Sequence, residues 1–289
     1  MKFALLNQFS ETEILDTHNK AFSDYEVPMQ LSLERFLYFN RRRGVRYDLS
    51  IGAIVEDKLI GFILNAVDMW NGKLTAYDCG TGIISEFRQK GVGNQIFNHL
   101  LPILQKENIE QYLLEVIQTN YAAINLYRKR NFLITREFDC LNVERNQLIN
   151  NFQEYNIHGR QINIRELKSI DWNVARKFWN FPPSWQNSEL SIQRVDDSFN
   201  YLGAFYSNKL VGYMVYESTG GITQLAVHPD YRNQQIGQKL LTNMMNSCSH
   251  IDNFHIINVD KRDTILLHFL EKLGFKSFTS QFEMILNLI

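Results

Sequence analysis

The sequence predicts a mixed α/β (α+β, mixed-sheet) protein made of two tandem copies of one unit, and length, composition and an internal repeat carry that prediction. At 289 residues, the chain is about twice the roughly 150 residues of an average domain. With 45% hydrophobic and 21% charged residues, it can bury enough apolar surface to offset the entropy of ordering, which excludes a disordered chain. The repeat is visible by direct comparison. Residues 51–64 (IGAIVEDKLIGFIL) match 202–215 (LGAFYSNKLVGYMV) without a gap, 87–93 (FRQKGVG) match 231–237 (YRNQQIG), and 112–132 match 255–275. Three matches in the same order make a duplication. The copies are expected at 1–145 and 158–289, joined by a linker at 146–157 inside the polar stretch 142–158.

Each copy shows the same order of elements. A short strand (2–6; 162–165) precedes a helix, for which Ser10 with Glu13 spells a capping box and Asp171 offers a cap to a segment carrying Val174, Phe178 and Trp179. Two apolar, β-rich runs flank Asp57-Lys58 and Asn208-Lys209, the polar tips expected of hairpins. A further strand (75–84; 223–228) enters a glycine-bearing loop and then an amphipathic helix, whose buried stripe in the first copy is Ile96, Phe97, Leu100, Leu101 and Leu104. Pro102 lies in that stripe and predicts a bend. A buried strand (112–117; 255–259), another helix and a final strand complete each copy.

Charge and cysteine content exclude several classes. Thirty Lys and Arg nearly cancel 31 Asp and Glu, leaving no long-range field to hold a nucleic acid or an anionic membrane. Apolar runs fall short of the roughly 18 residues that span a bilayer, and the run 3–6 is too short for a signal-peptide core. Cys79, Cys140 and Cys248 have neither disulfide-framework nor metal-ligand spacing. The expectation is a reduced, cytoplasmic protein without a metal.

Arg88, Gln89, Lys90, Gly91, Val92, Gly93 and Asn94 lie between a β-rich run and a helix. Glycines there permit a tight turn and close approach of a ligand, and the free N–H groups of a helix start favour an anion such as pyrophosphate. The alternative is a helix entry that uses glycine only for its turn. No Lys-Ser or Lys-Thr follows, so this is not a P-loop.

This R-x-x-G-x-G loop between strand and helix, followed by Asn120, Ala123, Leu126, Tyr127 and Phe132 in an N-x-x-A-x-x-L-Y-plus-aromatic pattern, resembles the GNAT superfamily of acyl-CoA N-acyltransferases. The second copy resembles it less completely: Gln235 replaces the first glycine, Asp263 the asparagine and Leu270 the tyrosine. The resemblance implies two tandem GNAT-like domains, with the first half binding acetyl-CoA and catalysing transfer and the second a degenerate copy. It also implies that two central strands splay to admit the pantetheine arm, and that the main chain at Ile83 and Ile84 holds the arm and polarises the thioester. Tyr127 then takes the position of the acid that serves the departing thiolate, and Asn120 that of a pantetheine contact. As an isolated residue Asn120 also fits a helix cap, and Tyr127 a core position.

Transfer to an amine also needs a base. Glu115 and Asp78, on the two central strands, are the candidates, each with an ordinary reading as an ion-paired or surface carboxylate. His228, beside Pro229-Asp230, is read chiefly as a turn residue. Acceptor choice is expected from the segment between the first helix and the hairpin and from 68–73. Asp24, Tyr25 and Glu26, before Pro28, offer either a cation-attracting patch or a solvated loop; residues 181–185 (FPPSW) offer a pocket wall or a seal between the halves; Arg41, Arg42 and Arg43 read as surface charge.

The function expected is N-acetyl transfer from acetyl-CoA to a primary amine of a small molecule or peptide. Alternatives are a non-enzymatic acyl-CoA sensor or interaction module, and a tandem transferase active in its C-terminal half, as in relatives that acylate amino sugars. A peptidoglycan-type aminoacyl transferase would need a surface for aminoacyl-tRNA, against which the balanced charge argues.

Overall fold

Ser10 opens the first helix with a complete capping box: its hydroxyl accepts from the Glu13 N–H, and the Glu13 carboxylate accepts from the Ser10 N–H. In the computed structural model, which describes residues 1–24, 29–152 and 161–288, β1 (Lys2–Leu5) leads into α1 (Glu11–Ala21). The segment after it holds a second helix, α2 (Leu33–Arg43), capped by Ser32 and closed by Gly44 at φ 83°. The hairpin of β2 (Ile51–Val55) and β3 (Lys58–Trp70) follows, then β4 (Lys73–Ile83), α3 (Val92–Lys106), β5 (Gln111–Ile117), α4 (Tyr121–Lys129), β6 (Leu133–Glu144) and α5 (Arg145–Asn151).

The second copy runs β7 (Asn163–Leu167), α6 (Trp172–Ala175), α7 (Glu189–Gln193), β8 (Asn200–Tyr206), β9 (Lys209–Tyr216), β10 (Gly221–Val227), α8 (Ile236–Ser247), β11 (Asn253–Asp260), α9 (Thr264–Lys272) and β12 (Lys276–Asn287). Among the described residues no helix is long and apolar enough to cross a membrane.

Several local expectations shift. Both hairpin turns sit one residue earlier than read, at Glu56-Asp57 and Ser207-Asn208, where all four residues have positive φ. A two-residue turn of this kind needs φ > 0 at both positions to match the strand twist, and the lysines become strand residues paired with Val55 and Tyr206. Asp171 does cap its helix, but the helix tightens into a 3-10 turn at Arg176–Phe178 and Trp179 is extended. Arg176 is drawn to Glu189, and Pro182 and Pro183 forbid a continuing helix. α3 runs through Pro102 without interruption; the proline is exposed, so the carbonyl that it leaves without a donor faces solvent. The supposed connector 142–158 begins as the end of β6 and then forms α5, and its part from 153 lies outside the described residues.

The chain packs as two compact units, Met1–Thr135 with Phe282–Ile289, and Arg136–Gln281. Their division follows packing rather than chain order. In the first unit the strand order is β1-β2-β3-β4-β5 with the end of β12 beyond β5. There Leu288 donates its N–H to the Glu110 carbonyl, and Met284 is fully buried among Ile96, Leu100 and Tyr112. In the second unit the order is β6-β11-β10-β9-β8-β7, with β6 antiparallel to β11. Neither unit coincides with the repeats expected at 1–145 and 158–289, because the first takes the end of β12 and the second most of β6.

In both units the helices after the glycine loops supply the core. Ile96, Phe97, Leu100 and Leu104 are fully buried on α3, as Leu240, Leu241 and Met244 are on α8. Both units also part their central parallel strands. β4 and β5 pair only from Thr75/Gln111 to Asp78/Leu114, and β10 and β11 only at Gly221/His255 and Ile222/Ile256, before each pair continues unpaired.

Candidate active site

The strand β4 carries a bulge at Cys79, because Leu64 faces Gly80 while Asn65 faces Asp78. The bulge marks the point where β4 leaves β5 and re-aims the residues around it. Asp78 is buried and accepts hydrogen bonds from the Gly80 N–H (2.9 Å), the Thr81 hydroxyl (2.6 Å) and, at 3.5 Å, the Tyr127 phenol. Burial raises its carboxyl from 3.8 to about 6, against the lowering effect of those donors and of Arg43. Asp78 and Tyr127, distant in sequence, thus meet at the head of the gap. Tyr127 is held in place by Phe97 and Phe132, with ring centroids 6.0 and 5.6 Å away.

Glu115 is not part of this pair. Tyr112, Leu114 and Val116 belong to the core cluster with α3, so strand alternation turns Glu115 to the opposite face of β5, where its charge acts on buried Tyr77. Arg43 is not surface charge either: its guanidinium donates to the Cys79 carbonyl at 3.0 Å, and Arg42 is buried. Asn120 caps α4 by accepting from the Ala123 N–H.

The main chain facing the gap is shifted from the expected pair. Ile84 donates its N–H to Ile60 across the β3–β4 ladder. By antiparallel alternation, the N–H groups of Ile83 and Thr81 therefore point away from β3 and into the gap. Thr81 is thus a site residue twice over, through its hydroxyl and its backbone. Its sequence signal was the spacing from Asp78, since a short carboxylate that accepts from residues two and three ahead forms a local turn.

The loop before α3 gains its shape from two left-handed residues, Gln89 at φ 59° and Gly91 at φ 77°. Val92 and Gly93 are buried, and the first-turn N–H groups of α3 have no partners within the helix. Arg88 does not reach into this loop. Its guanidinium binds the Ile83 and Ala21 carbonyls and pairs with Asp24 at 2.7 Å, which holds the Asp24 carboxyl below its usual range. Asp24 is therefore a clamp partner, while Tyr25, Glu26 and Pro28 lie outside the described residues. Lys90 lies 5.6 Å over the Phe87 ring, and Asn94 accepts from Arg130.

The second unit repeats this construction with other residues. Asn233 and Gln235, both at φ 59°, replace Gln89 and Gly91. Arg232 binds the Val227 and Phe178 carbonyls just as Arg88 binds those of Ile83 and Ala21. β10 bulges at Thr223 as β4 does at Cys79, which puts Ile222 where Asp78 stands. His228 caps the following turn by accepting from the Asp230 N–H. A cavity of about 1110 Å³ opens in this unit, running from Gln235–Gly237 along the parted strands to Phe181, Pro182 and Pro183. Residues 181–183 thus wall a pocket, and Trp185 is buried. Among the described residues no three His, Cys, Asp or Glu side chains gather to hold a metal ion.

Comparison with known proteins agrees with this architecture. A tandem GNAT protein from the clavulanic acid biosynthesis pathway superposes with a TM-score of 0.75 at 11% identity, covering 100% of this chain and 98% of that one. A GCN5-related N-acetyltransferase from Sphaerobacter thermophilus gives 0.69 at 12% identity, covering 96% and 92%. A putative acetyltransferase from Pyrococcus horikoshii gives 0.64 at 15% identity, covering 99% and 88%. At these identities the likeness establishes fold. The model of the acetyltransferase (GNAT) family matches twice, at residues 12–132 and 164–275, which together make up most of the sequence, and the chain therefore belongs to the acetyltransferase (GNAT) family.

Proposed function

We propose that the protein is an N-acetyltransferase that moves an acetyl group from acetyl-CoA to a primary amine of a small molecule or peptide, with the chemistry in its N-terminal half. The observation that carries this reading is the Tyr127–Asp78 pair at the point where β4 and β5 part. The acyl donor fits the chain on two further grounds: the left-handed loop opening α3 presents N–H groups suited to a pyrophosphate, and the parted strands present the Thr81 and Ile83 main chain to an extended arm.

Acetyl-CoA supplies an activated acyl carbon. The Ile83 N–H polarises the carbonyl oxygen, as a donor aimed at developing negative charge does. As the amine nitrogen bonds to that carbon and the carbon–sulfur bond breaks, Asp78 takes the amine proton through water and Tyr127 gives its phenolic proton to sulfur. Asp78 then returns the proton to Tyr127, which restores both groups and balances the reaction. A carboxyl near 6 is ionised at neutral pH yet basic enough for this task. The three cysteines are buried and outside any disulfide, which supports work in a reducing compartment such as the cytoplasm.

The test is release of free CoA thiol from acetyl-CoA in the presence of a panel of primary amines. Amine-dependent release is expected; no release above hydrolysis with any amine overturns the reading. A reacting C-terminal half lacks comparable support, because Leu270 and Ile222 stand where Tyr127 and Asp78 do.

A further inference from the structure

We propose that Arg43 is a positioning residue for the transfer: from the last turn of α2 it holds the β4 bulge at the Cys79 carbonyl, and so fixes where the Asp78 carboxylate stands against Tyr127. This rests on the reading above that the Tyr127–Asp78 pair carries the chemistry.

A bulge leaves its extra residue outside the ladder, and a buried carbonyl without a partner is costly. Cys79 is that residue, since Gly80 faces Leu64 and Asp78 faces Asn65. The Arg43 guanidinium supplies its carbonyl with a donor at 3.0 Å, and a charged donor makes a stronger bond than a neutral one. The same guanidinium lies 5.3 Å over the ring of Phe39, one turn earlier on α2, so the helix itself sets its approach.

The β3 side of the bulge is fixed as firmly. Asn65 is fully buried; its carbonyl accepts from the Arg46 N–H at 2.7 Å, its side-chain amide donates to the Leu49 carbonyl at 2.7 Å, and its side-chain oxygen accepts from the Tyr112 phenol. Val45 bridges to Ala66. The residues after α2 thus grip β3 while its last residue grips β4, and a shift of the helix would move Asp78. Because α2 lies in the segment from which acceptor choice is expected, Arg43 joins that segment to the carboxylate.

Arg43 also acts through its charge. Asp78 is faced by Tyr127 from α4, Tyr112 from β5 and Arg43 from α2, with Tyr77 and Cys79 beside it on β4; Glu115, on the far face of β5, acts on Tyr77. Among these groups Arg43 is the cation, and it favours the ionised form of Asp78.

Two measurements on the full chain test this: the pH dependence of amine-dependent thiol release, and NMR titration of the aspartate carboxyls, in which the Asp78 signal is the one missing from Asp78→Asn. Arg43→Met is expected to lower kcat by about tenfold or more, as misplacement of a reacting group does, and to move both the rise in kcat/KM and the Asp78 titration to higher pH. Arg43→Lys keeps the charge without the guanidinium fork, so it is expected to return both to the native pH while recovering only part of kcat. Arg43→Gln takes the place of Arg43→Met if that variant does not fold, with the same pH shift expected. A native kcat and pH profile in the folded neutral variant overturns the proposal, as does a lysine variant that titrates like the neutral one. If the native protein releases no thiol with any amine, the reading above fails; the carboxyl titration then decides alone, an upward shift reversed by lysine upholding the grip of Arg43 on Asp78 and no shift overturning it.

Discussion

Gly91 and Gln235 occupy the same place in the two halves, at φ 77° and φ 59°, each capping the helix that follows. In the first half the left-handed turn is free of strain, because glycine has no Cβ; in the second, a glutamine adopts it at a cost of about 1–2 kcal/mol. The neighbouring arginine clamps are alike, with Arg88 and Arg232 each gathering two backbone carbonyls. What differs lies deeper, at Tyr127 against Leu270 and Asp78 against Ile222. The left-handed helix entry and the arginine clamp have thus been kept in both halves, whereas the tyrosine–aspartate contact stands in one.

Substitution at Tyr127 breaks that contrast most severely. Tyr127→Phe removes the proposed acid while keeping the ring contacts with Phe97 and Phe132, and turnover should fall by about 10²–10⁴ with CoA affinity unchanged. Thiol-release kinetics beside calorimetry check this; retained turnover would sink the acid role.

Asp78→Asn should lower kcat by at least about tenfold, on the scale of general acid–base contributions, and abolish the rise in kcat/KM with pH that is expected of the native protein around pH 6. Stability carries the opposite sign. The folded carboxyl holds its proton more tightly than the unfolded one at 3.8, so the native fold loses stability as pH rises from about 4 to about 6 and levels off above. Asp78→Asn should flatten that slope in thermal melts taken across the interval.

The second glycines of the two loops offer a smaller effect. A Cβ at Gly237 would lie 2.8 Å from the Phe269 ring, while one at Gly93 would meet Leu126 at 3.1 Å. Gly237→Ala should therefore destabilise by about 1–3 kcal/mol through overpacking, and Gly93→Ala by less, as read by denaturant midpoints. Equal losses would remove this difference between the halves.

Gln235→Gly is the mildest change. Relief of the left-handed strain, partly offset by the greater backbone freedom of unfolded glycine, should raise stability by up to about 1 kcal/mol, and Gly91→Gln should lower it by a similar amount. A fall in melting temperature for Gln235→Gly would show that the glutamine side chain contributes to the loop.

Much of this was legible locally. The capping box at Ser10, the cap at Asn120 and the glycine loop before α3 are short-range patterns, whose hydrogen bonds join residues three or four apart, so sequence spacing states them almost directly. The hairpin tips were displaced by one residue because positive φ at Glu56 and Ser207, neither a typical left-handed residue, is imposed by strand twist. The Arg88 clamp was misjudged because an arginine in a glycine loop suggests an anion, whereas Asp24 and two carbonyls had already claimed the guanidinium.

The sequence by itself determined the duplication, the order of the strands and of the helices at the capping box and the two loop motifs, and the family, because these depend on periodicity and on motifs contained within short windows. Only tertiary structure decided that Asp78 faces Tyr127 while Glu115 faces away, that β12 supplies strand residues to the first unit and β6 to the second, and that Asn187 bridges β10 and β11. Each of those depends on residues far apart in the chain meeting across a sheet, where a bulge or a one-residue change of register decides which face a side chain takes.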